Sequence, residues 1–336
     1  MRRPLAPVLA AALVALRAAP VAAAEPLDLD LARLGAPSAS VWSAAATNTG
    51  VALSPGAAQQ LASDARARFA LLSIETALAF SSAILQPAST TGYSGFDFDM
   101  EASYAAVHPG AATGSATFPD GAGGVAFGPR SPWQTRGLVP HELFLPSFHV
   151  RKALPFSFEL GGRMIYLSQS SYFGAQVEGK WALNEGFSVL PDLAVRAAYT
   201  QLFGPAAWNL SSTDVDLLVS KRWGVNAVTS FTPYAAARFT FVGASSDTID
   251  FAPPAPGQTR TTAQLAATQV AFPTLRTALY RTTVGLRMTA YAVSLAAEAT
   301  YFGGAKGGKD APAADQYPTY RVPSSWSGAL RFGWEF

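Results

Sequence analysis

From residue 94 onward, polar and apolar side chains alternate one by one through one segment after another. A repeat of two sends successive side chains to opposite faces of an extended strand, whereas a helix would scatter them around a 3.6-residue turn. In the first segment Phe96, Phe98, Met100, Ala102 and Tyr104 share one face and Asp97, Asp99, Glu101 and Ser103 the other. The same sorting recurs at 143–152, 156–168, 171–183, 192–200, 214–223, 231–241, 275–289, 291–301 and 326–336. The pattern predicts about ten strands, within a range of eight to twelve because 108–137 has room for a further hairpin.

The polar faces are ionic. They carry the acids Asp97, Asp99, Glu101, Glu159, Glu178, Asp192, Asp214, Asp216, Glu298 and Glu335, and the bases Arg151, Arg163, Lys180, Arg196, Arg222, Arg238, Arg281, Arg287 and Arg331. Aromatic residues stand near the strand ends on the apolar faces, among them Phe144, Tyr166, Phe173, Trp181, Tyr199, Trp223, Tyr280, Tyr301, Trp326 and Trp334. A dry sandwich core would not hold so many ionisable groups. A barrel with its apolar face toward lipid and its ionic face enclosed accounts for both faces. Connection lengths point the same way. Long connections are expected at 108–137, 243–274 and 302–323 and one of about ten residues at 202–211; tight ones are expected at 152–155, 169–171, 184–187, 224–225 and 290. The fold class is therefore all-β, an antiparallel transmembrane β-barrel of about ten strands, occupying 94–336.

Composition sharpens this. Charged residues make up 14% of the 336-residue chain, against roughly 25% in an average soluble domain. Apolar residues make up 49%, and there are 28 Gly and 24 Pro. That balance excludes a disordered or nucleic-acid-binding chain. The formal charge of +2 says nothing of an acidic partner. There is no Cys and only three His, so neither disulfides nor a thiolate metal site is available. No cofactor or metal is expected.

Residues 1–24 have the order of a secretory signal peptide: Arg2 and Arg3, an Ala/Leu/Val run, then Ala22, Ala23 and Ala24. Residues 25–93 form an Ala/Ser-rich extension with a helix near 57–85, started by Ser54-Pro55 and stopped by Pro87. This extension either plugs the lumen or packs loosely on the barrel rim.

The last strand, with Phe332, Trp334 and the C-terminal Phe336, resembles the terminal strand of Gram-negative outer-membrane β-barrel proteins. In that superfamily the terminal aromatic is read by the barrel assembly machinery, which makes these three residues the assembly signal. The Gly usual three residues before the penultimate aromatic is replaced here by Arg331. Stretches such as TTGYSGFDFDMEAS and KWALNEGFSVLPDLAVRAAYT are similar to uncharacterised barrel proteins of myxobacterial type. The resemblance implies the cell outer membrane as location and outer-membrane lipid as partner, with no assigned activity.

The leading expectation for function is a narrow, porin-like channel or passive solute pathway for small solutes, its ionic lumen lined by the charged residues named above. The alternative is a non-conducting structural or surface-interaction barrel displaying its long loops. A rim hydrolase ranks third, because Ser147 and His149 stand side by side on one strand without the geometry of nucleophile and base, and no acidic pair accompanies His108 or His141. No catalytic residue is assigned.

Overall fold

A computed structural model describes residues 25–336 apart from 26, 30, 50–52, 82, 110–132, 134–139, 206, 252–260, 263–267 and 314. The expected signal peptide and most of the 108–137 loop lie outside the described residues. Ten long strands form the wall. In chain order they are β1 (Phe96–Ala106), β2 (Glu142–Leu154), β3 (Phe158–Tyr166), β4 (Phe173–Asn184) and β5 (Asp192–Phe203). They continue as β6 (Trp208–Ser220), β7 (Thr229–Ser246), β8 (Leu275–Ala290), β9 (Val293–Phe302) and β10 (Ser325–Glu335). Each strand pairs antiparallel with the next, and β10 pairs with β1, Asp97 opposite Glu335 and Ala105 opposite Ser327. Closure leaves no free edge, so every strand finds its backbone partners within the sheet.

The wall is inside out relative to a soluble protein. Met100 is 58% exposed, Val177 62% and Leu330 63%, while Asp97, Asp99, Arg196 and Asp216 on the opposite face are 0% exposed. Apolar atoms stay exposed at this scale only where lipid covers them. Aromatic pairs stack across neighbouring strands on that outer face: Tyr104 with Phe144 and Tyr301 with Trp326 toward one end, Phe158 with Trp181 toward the other.

The two ends differ. One carries the short connections 155–157, 185–191, 221–228 and 291–292 and is called the turn end; the other carries 107–141, 167–172, 204–207, 247–274 and 303–324 and is called the loop end. The connection expected at 202–211 shrinks to 204–207. The reason is that near the loop end the inward face of the wall turns apolar: Trp208 and Leu210 point inward and are buried, as do Leu143, Leu145, Leu279 and Phe302. There the rule of polar side chains inward fails, and the first residues of β6, Trp208–Ser211, read as loop in the sequence.

Two helices precede the barrel, α1 (Ala39–Thr49) and α2 (Pro55–Phe80). The Ser54 side chain accepts a hydrogen bond from the Ala57 amide (3.2 Å), and Pro55 supplies a preset first-turn φ. The helix expected over 57–85 ends five residues earlier, at Phe80. Trp42 of α1 and Phe69, Leu72, Ile74 and Phe80 of α2 share one apolar cluster with inward residues of the wall. The final turns of α2 thus sit in the mouth of the barrel at the loop end, where they supply the apolar surface that the inverted strands need.

Candidate functional site: the occupied bore

The site is best built from its ion pairs upward. At the seam where β10 meets β1, Arg331 and Arg151 both grip the same two carboxylates. Arg331 reaches Asp97 (2.6 Å) and Asp99 (2.5 Å), and Arg151 reaches the same two at 2.5 and 2.6 Å. Gly333 makes this possible, because a Cβ there would overlap Asp99. Toward the middle, Glu101 meets Arg163 (2.9 Å) and His149 (3.1 Å), and His149 reaches Glu178 (3.2 Å) on its far side. Arg196 bridges Glu178 to Asp216, Arg238 also holds Asp216 (2.5 Å), and Arg281 holds Asp214 (2.9 Å). Lys180 pairs with Glu159 (3.2 Å) and Arg287 with Glu335. Asp192 accepts from the Gly186 amide (3.0 Å) in the turn 185–191. Each cation faces carboxylates one or two strands away, so the network crosses strand after strand around the wall.

One residue of the expected lining lies elsewhere. Arg222 falls beyond the end of β6, in the hairpin 221–228, and is exposed. The long pairing of β6 with β7 ends at Ser220 and only Trp223 and Gly224 pair beyond it, so Arg222 stands at the rim of the wall, where residues 222–228 are all exposed. Its neighbour Lys221 turns to the adjacent hairpin and donates to the carbonyls of Phe187, Ser188 and Leu190.

Between these charges runs the end of the extension, for which the sequence leaves open a plug or a loose rim segment. Beyond α2 the backbone continues through the bore, and its partners shift steadily from the loop end to the turn end. The carbonyl oxygens closing α2 meet arginines first: Arg281 donates to Leu78 (3.3 Å) and Ser81 (3.1 Å), and Arg238 to Ser81 (2.5 Å). Guanidinium groups there satisfy the unpaired carbonyls and match the negative end of the helix dipole. Arg163 then donates to the Ala83 carbonyl (2.7 Å). Glu298 accepts from two successive amides, Ile84 (2.9 Å) and Leu85 (2.7 Å), and Arg331 donates to the Leu85 carbonyl (3.0 Å). Leu85 takes a left-handed φ of 54° to present both groups.

Further down, Gln86 bonds Glu178 (3.0 Å) and Lys180 (2.8 Å), and the Ala88 amide donates to Ser220 (3.0 Å). At the turn end Thr90 is held by Glu185 and the Thr91 amide by Glu159 (3.2 Å). Side chains of β3, β4, β6, β7, β8, β9 and β10 therefore bind this part of the chain. Ala83 and Leu85 pack on Ala296 and Ala329, while Ile84 and Ala88 pack on Ala182, Ala194, Leu218 and Ala236. Small inward residues make the room that this segment takes.

The mouth above is sealed by one buried carboxylate. Glu75 of α2 accepts from the His108 amide (3.0 Å) and ring (3.1 Å) and from the Trp133 indole. Burial raises its carboxyl above the ordinary value, against the opposing hydrogen bonds from Trp133 and His108. A cavity of only about 20 Å³ remains beside it, lined in part by Leu78, Arg281 and Trp326.

The catalytic alternatives gain no geometry. Ser147 and His149 both turn to Glu101, at 3.0 and 3.1 Å, and not to each other. Ligand atoms of Asp99, Glu101 and His149 lie within 4.8 Å of one another, but the carboxylates are already neutralised by Arg151, Arg331 and Arg163. Phe332, Trp334 and Phe336 lie along β10 and its C-terminal end, Phe332 exposed toward lipid, with Phe336 exchanging backbone hydrogen bonds with Phe96 (2.8 and 2.9 Å) across the seam.

No family model matches the chain, and no curated protein matches it. Among solved structures it is similar to Ail, the attachment invasion locus protein of Yersinia pestis. That match has 9% identity over 73% of this chain and 100% of Ail, with a TM-score of 0.26. Ail in complex with the heparin analogue sucrose octasulfate matches at 8% identity, 73% and 100% coverage and a TM-score of 0.25. OmpT, an outer membrane protein of Vibrio cholerae, matches at 11% identity over 58% of this chain and 56% of OmpT, with a TM-score of 0.23. These are outer-membrane β-barrels, and at such scores the likeness carries no function across.

Proposed function

We propose that the protein is a self-plugged, non-conducting barrel of the outer membrane whose task is to present the helices α1 and α2, with the loops around them, at the cell surface. The observation that carries this reading is the hydrogen-bonded passage of residues 83–91 through the bore, with α2 seated in the mouth. In outer-membrane barrels the long loops face outward and the short turns face the periplasm. With that orientation the helices lie outside the cell, although they precede the barrel in the chain.

The charged lining supports plug and wall together. A solute pathway would need residues 83–91 to withdraw, and that would strip Glu298, Arg163, Arg331 and Lys180 of backbone or amide partners in a confined site. The chain has no native Cys, so a single introduced thiol reports cleanly. Gln59→Cys, on an exposed position of α2, is expected to react with a membrane-impermeant maleimide on intact cells. Val189→Cys, on the turn 185–191, is expected to react only after the outer membrane is permeabilised. The opposite labelling pattern would refute the orientation.

A further inference from the structure

Beyond the lumen, the cations of this protein behave differently, and four of them lie at the loop end on β8 and the connection 303–324. Arg276 lies on the outer face of β8: Leu275 and Leu279 point inward and are buried, whereas Arg276, Ala278 and Tyr280 point outward. It is four residues from Tyr280, about 13 Å along the strand toward the loop end. Next to β8, the connection 303–324 folds into a short ribbon, Ala305–Gly307 paired with Tyr320–Val322. Tyr320 and Val322 are buried, and the other face of the ribbon carries Lys306 directly opposite Arg321, both exposed. Lys309 follows in the same connection. It lines a cleft of about 470 Å³ together with Arg276, Tyr317 and Tyr320.

Like charges directly opposite each other across a ribbon destabilise it. In the bore every cluster of arginines is matched by carboxylates, yet among the described residues no ion pair is formed by Arg276, Lys306, Lys309 or Arg321. The nearby acids are engaged or outnumbered. Asp310 accepts from the Thr319 hydroxyl (2.6 Å), and Asp315, which borders the cleft, shares its field with Arg66. The loop-end hairpins 167–172 and 204–207 contain no Lys or Arg. The position follows a rule too: the patch lies just past the outward aromatic residues Tyr280, Tyr301 and Trp326, where a membrane's hydrocarbon gives way to headgroups.

We propose that Arg276, Lys306, Lys309 and Arg321 form a binding site for the phosphate groups of a phosphorylated glycolipid headgroup in the surrounding leaflet. Guanidinium forks suit phosphate oxygens two at a time, the lysines add point charges, and an anion seated by Lys306 and Arg321 offsets their mutual repulsion. The proposal rests on the reading that the loop end lies at a membrane surface. It does not depend on whether the plug is closed.

The test uses the full-length protein in detergent micelles, where orientation in a cell plays no part, with retained lipid counted by native mass spectrometry. Three probes are compared: a bis-phosphorylated diglucosamine lipid, the same lipid with both phosphates removed, and inorganic phosphate. The wild type is expected to retain the phosphorylated lipid and not the dephosphorylated one. Arg276→Gln, Lys306→Gln, Lys309→Gln and Arg321→Gln are each expected to weaken retention roughly fivefold. Because each site is exposed, every variant should keep the heat-resistant mobility of a folded barrel; Lys306→Glu with Arg321→Glu serves as a second, charge-reversed version. Equal retention of both lipids, or of the phosphorylated lipid by wild type and variants, would overturn the site. Displacement of the lipid by millimolar inorganic phosphate would overturn the lipid as its ligand. Failure of the surface-labelling experiment would instead overturn the orientation, leaving these binding results to stand or fall separately.

Discussion

At the scale of single residues, the bore is governed by the cost of leaving a buried charge without its partner. Arg331 ties β10 to Asp97 and Asp99 on β1 and also binds the Leu85 carbonyl. Arg331→Met is therefore expected to destabilise the barrel by about 3–5 kcal/mol, read as a lower urea midpoint in micelles. Arg222→Gln, on an exposed hairpin, should stay within about 0.5 kcal/mol of the wild type. Glu75 gives a pH dependence of definite sign. Its carboxyl is raised by burial, so docking of α2 takes up a proton; the stabilisation is full below the ordinary carboxylate value and is lost as pH rises through the raised one. The groups facing it are His108, Trp133 and, across the small cavity, Arg281. Protection of the α2 amides, taken relative to the intrinsic rise of exchange with pH, is expected to fall in the wild type as pH rises through the raised value, and Glu75→Gln should flatten that trend.

At the scale of elements, the strands are legible in the sequence, whereas the plug is legible only as one of two readings of the extension and its path through the bore is not legible at all. A period of two is a local property of the chain, so Phe96 to Tyr104 and their counterparts declare a strand and its lipid face without reference to anything distant. Where α2 fills the mouth, Trp208 and Leu210 obey a different partner, and the start of β6 was misplaced for that reason. Residues 83–91 have no period at all. Their conformation is set by Arg163, Glu298, Arg331, Lys180 and Ser220, each from a different strand, and nothing in the local sequence announces those partners. Ile84 and Leu85 even prolong the apolar pattern of the helix past its true end. Alternation gathers the charged residues on one face, and Arg222 departs from the others because it stands in the exposed hairpin 221–228, past the last buried residue of β6. The seat of α2 offers a test at this scale. A Cβ at Gly174 of β4 would lie 2.7 Å from the Phe80 ring. Gly174→Val should unseat the last turn of α2 at a cost of about 1–3 kcal/mol, seen as faster amide exchange in residues 74–81 while the strands remain protected.

At the scale of the whole molecule, wall and plug solve one problem together. The wall exposes its apolar face and encloses its charges; the passing segment then satisfies those charges while α2 covers the apolar ring at the mouth. Neither part has its partners without the other. The account predicts a barrel that is closed at rest, and recordings in planar bilayers measure that directly. The full-length chain should show no stepwise conductance, and a chain lacking residues 25–91 should show ohmic steps. Steps of equal size from both chains would mean that the bore is open despite the segment within it, and would contradict the account.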